Sequence, residues 1–251
     1  MKLSNSPKNI NMKTYISRSA ITFIVASFLL AITAYPKFPE VNIPGVAGGS
    51  GSESPKPTIS ASDFGKQLEV ATSNVLGARI QFLRAQADMA SALGLKNDSL
   101  VKAAEALSAV SGTANSGEKV NAIKDSQKQT ADAQKAVKDG MANSESLSDE
   151  AKGKFLEGTV KFIDAIILER AQIVTIKQLI EQGKDLSKSS GLMEKPKILG
   201  LVKPATELAS MVPGDVKEGL TVFAQISSFA AKHKLALPSN ASQMSKLGDD
   251  I

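Results

Sequence analysis

The residue types that carry out chemistry in enzymes are scarce in this chain. Histidine occurs once, at His233 between two lysines, and cysteine does not occur. A serine or cysteine nucleophile therefore has no other base to activate it, and zinc lacks its usual ligands. Carboxylates alone could act as acid and base, but the Glu-x-x-His pairs of di-iron bundles are missing from the sequence. We expect a non-catalytic protein with no cofactor and no metal, in which His233 places a favourable charge at a helix C-terminus.

Two cations on a long predicted helix are the candidate buried or binding charges. This helix has two apolar stripes about 120° apart, and the gap between them holds Thr159, Arg170 and Lys177. The stripes are Leu156, Val160, Ile163, Ile167, Ala171 and Val174, and Phe155, Phe162, Ile166, Ile173 and Ile180. The opposite, solvated side is expected to hold Glu157, Lys161, Asp164 and Gln172.

Two interpretations of these cations stay open. In the first, both side chains lay their stems on the core and reach water between neighbouring helices. In the second, Arg170 is buried beside a carboxylate of another helix, or lines a polar cavity that receives an acidic ligand or partner. Unpaired burial is excluded because it costs too much free energy.

The elements that must position these residues are helices. From Phe64 to Leu93, apolar residues recur at alternating spacings of four and three, which predicts a helix that starts near residues 60–62 and stops at Gly94, with Leu95 in a Schellman contact. A second apolar stripe on this helix, Leu76, Ile80, Leu83 and Ala87, requires a second neighbour and favours a bundle.

More helices are predicted along the rest of the chain. They span residues 97–112, 116–142 and 148–189, and the second of these would bury amides in its middle. Pro204 and Pro213 should break the C-terminal part into shorter helices. Strand patterns are nearly absent, so we predict an all-α, elongated four-helix bundle with one or two additional short C-terminal helices. The bundle is expected over residues 62–235, with a flexible tail at 236–251.

The N-terminal region has the three parts of a secretory signal peptide. Lys13 and Arg18 precede an uncharged apolar stretch from residue 20 to 34, which is short for a membrane span and ends on a small residue. We predict a signal peptide at residues 1–34, with cleavage between Ala34 and Tyr35, and Met12 as an alternative start. The other possibility is an uncleaved anchor at residues 20–35 in the inner membrane. Residues 35–61, rich in proline, glycine and serine, are predicted to be a linker.

The charge balance argues against nucleic acid as a partner. Four basic residues and no acidic residue lie in residues 1–34, so removal of that segment lowers the formal net charge from +5 to +1. A nucleic-acid-binding domain would carry its own basic stripe, with aromatic side chains for stacking on bases. The predicted export and the lack of cysteine together indicate a bacterial envelope.

Three classes of function fit these features. The first is an exported, non-catalytic protein of the bacterial cell envelope, periplasmic or secreted, that binds a protein partner through helix faces. The second is a periplasmic binder or carrier of lipid or another hydrophobic ligand, because amphipathic helices can lay their apolar faces on acyl chains. The third is an enzyme that uses only carboxylates. Core packing produces the same stripes, so the stripes alone do not choose between the classes.

Overall fold

The predicted all-α bundle is confirmed. The computed structural model describes residues 59–191 and 193–247, and within these ranges the regular structure is helical, with no strand. The helices are α1 (Ala61–Ala92), α2 (Asp98–Val110), α3 (Ser116–Asn143), α4 (Asp149–Ser189), α5 (Lys195–Lys232) and α6 (Ala241–Met244). None of the described helices is long and apolar enough to cross a membrane. The predicted signal peptide, the Ala34–Tyr35 cleavage site, the start at Met12 and nearly all of the linker lie outside the described residues.

Helix ends form where capping residues stand in the sequence. The Ser60 hydroxyl accepts a hydrogen bond from the Asp63 amide at 3.1 Å and starts α1, and Ser148 caps α4 in the same way. Helix α1 ends in the predicted Schellman motif: the Leu95 amide donates to the Ala90 carbonyl at 2.9 Å, and Gly94 has a φ of +69°. The first and fourth predicted helices therefore begin and end close to where the sequence placed them.

Side-chain contacts fix the directions of the helices. Helices α1, α3 and α5 are parallel, and α4 is antiparallel to them. The contacts that show this join Ser73 to Lys119, Arg79 to Ser126, Lys124 to Glu207, Lys138 to Glu218, Ala85 to Gly158 and Phe64 to Gly183. Helix α4 packs mainly on α1 and α5, while α3 packs on α1, α2 and α5. Polar side chains of α1, α3, α4 and α5 meet where these four helices face one another.

The buried face of α4 contains most of one predicted stripe and little of the other. Phe155, Phe162, Ile166 and Ile173 of the second stripe are buried, whereas Ile163 is the buried member of the first. The buried face also follows a seam with alternating spacings of three and four: Phe155, Gly158, Phe162, Ala165, Glu169, Gln172, Ile176, Leu179, Gly183 and Leu186. Three predictions are wrong: Gln172, expected on the solvated side, is 7% exposed, whereas Val174, which is 54% exposed, and Ala171 were expected in the core and lie at the surface. The seam was missed because polar residues and glycines occupy some of its positions.

Helix α5 is one continuous helix, and the predicted break into shorter pieces is wrong. Pro204 and Pro213 both lie inside it. Each proline removes a backbone hydrogen bond and strains the preceding turn, at a cost of about 3 kcal/mol. Apolar residues beside both prolines, among them Ala205, Leu208 and Val212, are fully buried against the bundle. This tertiary packing offsets the local cost and keeps the helix intact.

The segment after α5 packs on the bundle, whereas a flexible tail was expected from residue 236. Met244 in the short helix α6 is 2% exposed and belongs to the main core. The Asn240 amide donates a hydrogen bond to Asp164 Oδ1 at 2.8 Å. Scattered apolar residues in a polar stretch give little periodicity, so the sequence did not reveal this packing.

Candidate functional site

The two predicted cations are not the most deeply buried charges of the structure. Arg170 is half-buried and Lys177 is exposed. His233 follows the end of α5, where its ring lies 4.2 Å from that of Phe229. The buried charged group on α4 is instead Glu169, the neighbour of Arg170, which is 2% exposed.

Glu169 belongs to a polar cluster formed by four helices. Arg79 of α1 is 4% exposed, and it takes one position of a buried α1 stripe that also holds Thr72, Leu76, Leu83, Gln86 and Ala90. Asp215 of α5 is half-buried, and Ser126 and Gln127 of α3 complete the group. We name Arg79, Ser126, Gln127, Glu169 and Asp215 the polar cluster. A sequence signal existed: Arg79 and Glu169 continue the spacing of their apolar neighbours.

The guanidinium of Arg79 is held at one side and lies over an aromatic ring. Its Nε donates to Ser126 Oγ at 3.4 Å, and its central carbon lies 5.0 Å from the centre of the Phe82 ring. Burial lowers the pKa of Arg79, while the carboxyl groups of Asp215, Glu169 and Glu218 act to raise it when they are ionised. A cation in this position needs nearby carboxylates, because desolvation alone would destabilise its charge.

Glu169 and Asp215 form a hydrogen-bonded pair of carboxyl groups. Burial, together with the charge of Asp215, raises the pKa of Glu169 to about 8. Burial also raises the pKa of Asp215, opposed by the charge of Arg79 and by Gln127, whose Nε2 donates to its two oxygens at 2.8 and 2.6 Å. At neutral pH Glu169 therefore keeps its proton and donates it to Asp215.

A cleft opens on the polar cluster between α3 and α5. Its volume is about 410 Å³, and its walls are Arg79, Gln127, Ala131, Gln134, Lys135, Lys138, Met211, Asp215 and Glu218. A second cleft of about 460 Å³ adjoins it, with Lys138 in both walls; its other residues are Met141, Ala142, Thr221, Ala224, Gln225, Ser228, Phe229 and Lys232. We call the two clefts together the α3–α5 groove.

Polar bridges link α3, and Ser144 just after it, to α5 on either side of this groove. Lys124 pairs with Glu207 at 2.7 Å and Lys138 with Glu218 at 2.6 Å. Lys232 Nζ donates to the carbonyl oxygen of Ser144 at 2.7 Å. The groove walls carry four cations, Arg79, Lys135, Lys138 and Lys232, and two acids, Asp215 and Glu218, so the surface is basic.

The carboxyl pair is poorly arranged for acid–base catalysis. A carboxyl dyad that activates water must present both groups to the substrate. Asp215 lines the cleft, whereas Glu169 lies behind it and is not part of its wall. Within the described part of the chain, no group of three or more histidine, aspartate or glutamate side chains is arranged to hold a metal ion.

Comparison of the chain with models of known protein families, with curated proteins and with solved structures gives no match. The polar cluster and the groove must therefore be interpreted from their own chemistry.

Proposed function

We propose that this is an exported, non-catalytic protein of the bacterial cell envelope, periplasmic or secreted, that binds a protein partner along the α3–α5 groove. The observation that carries the proposal is the groove itself. It runs beside α3 from the polar cluster to Lys232, and small side chains such as Ala131, Ala142 and Ala224 line it. Small residues leave room for a helix to approach closely, which suits the binding of an amphipathic helix in a groove.

The charge of the groove indicates the chemistry of the partner. Four cations and two acids line it, so a partner helix with acidic side chains is electrostatically complementary. Lys135 and Ala224 are exposed and therefore accessible to such a partner. The N-terminal signal pattern supports export. The position of Glu169 behind the cleft wall supports a non-catalytic role.

Single-cysteine crosslinking tests the binding face. The chain has no cysteine, so Ala224→Cys introduces one thiol into the groove, and Ala171→Cys introduces a matched thiol at an exposed alanine on α4. In native cells treated with a thiol-reactive crosslinker, we expect one adduct from the groove variant and none from the control. A combined Lys135→Glu and Lys138→Glu change should reduce that adduct at least tenfold. Equal adducts from both cysteines, or none from Ala224→Cys, would refute the groove as the binding face.

Export is tested separately by cell fractionation combined with the intact mass of the recovered protein. We expect a soluble periplasmic or secreted protein whose mass begins at Tyr35. A mass that includes residues 20–34, in a membrane pellet that survives a carbonate wash, would favour the inner-membrane anchor instead.

A second candidate function, binding of a hydrophobic ligand, is favoured by the adjoining cleft. Met141 and Phe229 contribute apolar surface to its wall. Flotation with phospholipid vesicles and a gain of helicity on mixing would support this function. A protein that stays at the bottom of the gradient with unchanged circular dichroism would argue against it.

A further inference from the structure

We propose that the cleft beside the polar cluster is a binding site for a single carboxylate group, with Arg79 as the residue that receives it. Arg79 is the one buried cation in the cleft wall. This inference goes beyond partner binding, because a helix could occupy the groove without placing a carboxylate on Arg79.

The hydrogen bonding of Arg79 leaves donors available to a ligand. Among the described residues, its hydrogen bond is the 3.4 Å contact from Nε to Ser126 Oγ, and Ser126 Oγ itself donates to the Ile123 carbonyl at 2.7 Å. The N–H groups on the two Nη atoms have no acceptor within the described part of the chain, although the side chain is 4% exposed. Arg79 is part of the cleft wall, so these donors can reach a ligand in the cleft and form charge-assisted hydrogen bonds with it.

The neighbouring acids do not take up these donors. Glu169 is engaged with Asp215, and both oxygens of Asp215 accept from Gln127 Nε2. No ion pair within 4 Å joins either carboxyl group to Arg79 among the described residues. Asp215 therefore supplies the negative charge that favours the charged form of Arg79, and neither acid occupies the outer edge of the guanidinium.

The charge and shape of the wall select a carboxylate over a more highly charged anion. Arg79, Lys135 and Lys138 face Asp215 and Glu218, so the wall has one positive charge in excess. One negative charge completes this balance, and a planar carboxylate matches the two parallel N–H groups of a guanidinium. A phosphate dianion would leave an excess negative charge next to Asp215.

Arginine-selective ¹⁵N labelling provides a direct test on the intact protein. The sequence contains four arginines, so the side-chain signal of each can be resolved. Arg84 is the matched control, because it lies on the same helix, is exposed, and makes one 3.4 Å hydrogen bond to Ser108 Oγ. We expect acetate to shift the Arg79 signal and saturate at roughly millimolar concentration, with little change at Arg84 and no effect of sodium chloride at equal ionic strength.

Two further arms identify the source of the carboxylate and the role of the guanidinium. The first arm compares a helical peptide that has a central glutamate with its glutamine version. If only the glutamate peptide shifts the Arg79 signal, the carboxylate comes from a partner side chain. If acetate shifts it, the site is assigned to a free carboxylate. Arg79→Lys, which keeps the charge but loses the planar fork, should weaken binding at least tenfold, while Arg84→Lys should not. If Arg79→Lys fails to fold, the titrations of the unmodified protein decide.

The proposal is overturned by any of three results. The first is no saturable shift of Arg79 with acetate or with the glutamate peptide. The second is an equal response at Arg84 or with chloride. The third is tighter binding of inorganic phosphate than of acetate. These outcomes are independent of the cysteine crosslinks, so the carboxylate site and the partner-binding groove can fail separately.

Discussion

Replacing Glu169 with glutamine should remove a large part of the pH dependence of stability. The pKa of Glu169 rises from 4.5 to about 8 on folding because the side chain is buried beside Asp215. Below pH 4.5 the group is protonated in both the folded and the unfolded state. Between pH 4.5 and 8 the unfolded chain releases the proton and the folded protein keeps it, so stability falls as pH rises.

The size of this effect follows from the same two pKa values. Each pH unit between them costs about 1.4 kcal/mol, which gives about 3 kcal/mol at pH 7 and about 5 kcal/mol at pH 8 and above. Glutamine is neutral at every pH and can donate its amide to Asp215 as the protonated acid does. For a domain of this size, each kcal/mol corresponds to about 2–4 °C in melting temperature.

Urea unfolding at one-unit steps from pH 5 to 9, followed by circular dichroism, measures how the free energy of unfolding changes with pH. Subtracting the Glu169→Gln curve from the wild-type curve removes the titrating groups that Glu169 does not contact, and leaves the titration of the Glu169–Asp215 pair. Glu181→Gln is the control, because Glu181 is exposed on the same helix, and it should leave the slope unchanged. If the wild-type and Glu169→Gln curves stay parallel over this range, Glu169 is ionised in the folded protein and our description of the carboxyl pair is wrong.

Three further substitutions, two of them with a matched control, test the packing and the backbone strain. Gly158→Ala should lower the melting temperature, because its new Cβ would lie 2.9 Å from a carbonyl oxygen of α1, whereas Gly153→Ala, with nothing within 4 Å, should raise stability by up to about 1 kcal/mol. Lys234→Gly should stabilise by about 1 kcal/mol in urea titrations, since Lys234 ends α5 with a φ of +53°; no gain would contradict the strain. Met244→Ala should cost about 2–3 kcal/mol on thermal unfolding, and Met193→Ala, 95% exposed, almost nothing. Equal effects of the two methionine changes would show that α6 does not pack on the bundle.

The parts of the fold that could be predicted depend on local signals. Ser60, Gly94 and Ser148 act on the backbone within one turn, so their effects appear in a short window of sequence. The course of α5 could not be predicted, because the burial that keeps Pro204 helical comes from other helices. The destabilising effect of proline on a helix can be predicted from the sequence, whereas the tertiary packing that offsets this effect cannot.

The candidate site was missed for a related reason. Arg79, Glu169 and Asp215 lie on three helices far apart in the sequence, and each is an ordinary polar residue in its own window. The buried cation of the structure is Arg79 of α1, whereas Arg170 is half-buried. Counting only apolar residues rotated the predicted face of α4 away from Glu169, although the spacing of three and four continues through it.

The way α3 is attached determines how rigid the groove can be. Val120 and Ile123 anchor one end of α3 in the core, and Val137 and Met141 anchor the other. Between these ends the buried side chains of α3 are polar, namely Ser126, Thr130 and Gln134. The lysine–glutamate bridges from α3 to α5 are partly exposed, so each contributes about 1 kcal/mol or less, and high salt should weaken them by screening. The link between α3 and α5 along the groove therefore depends on ionic strength more than the apolar anchors of α3 do.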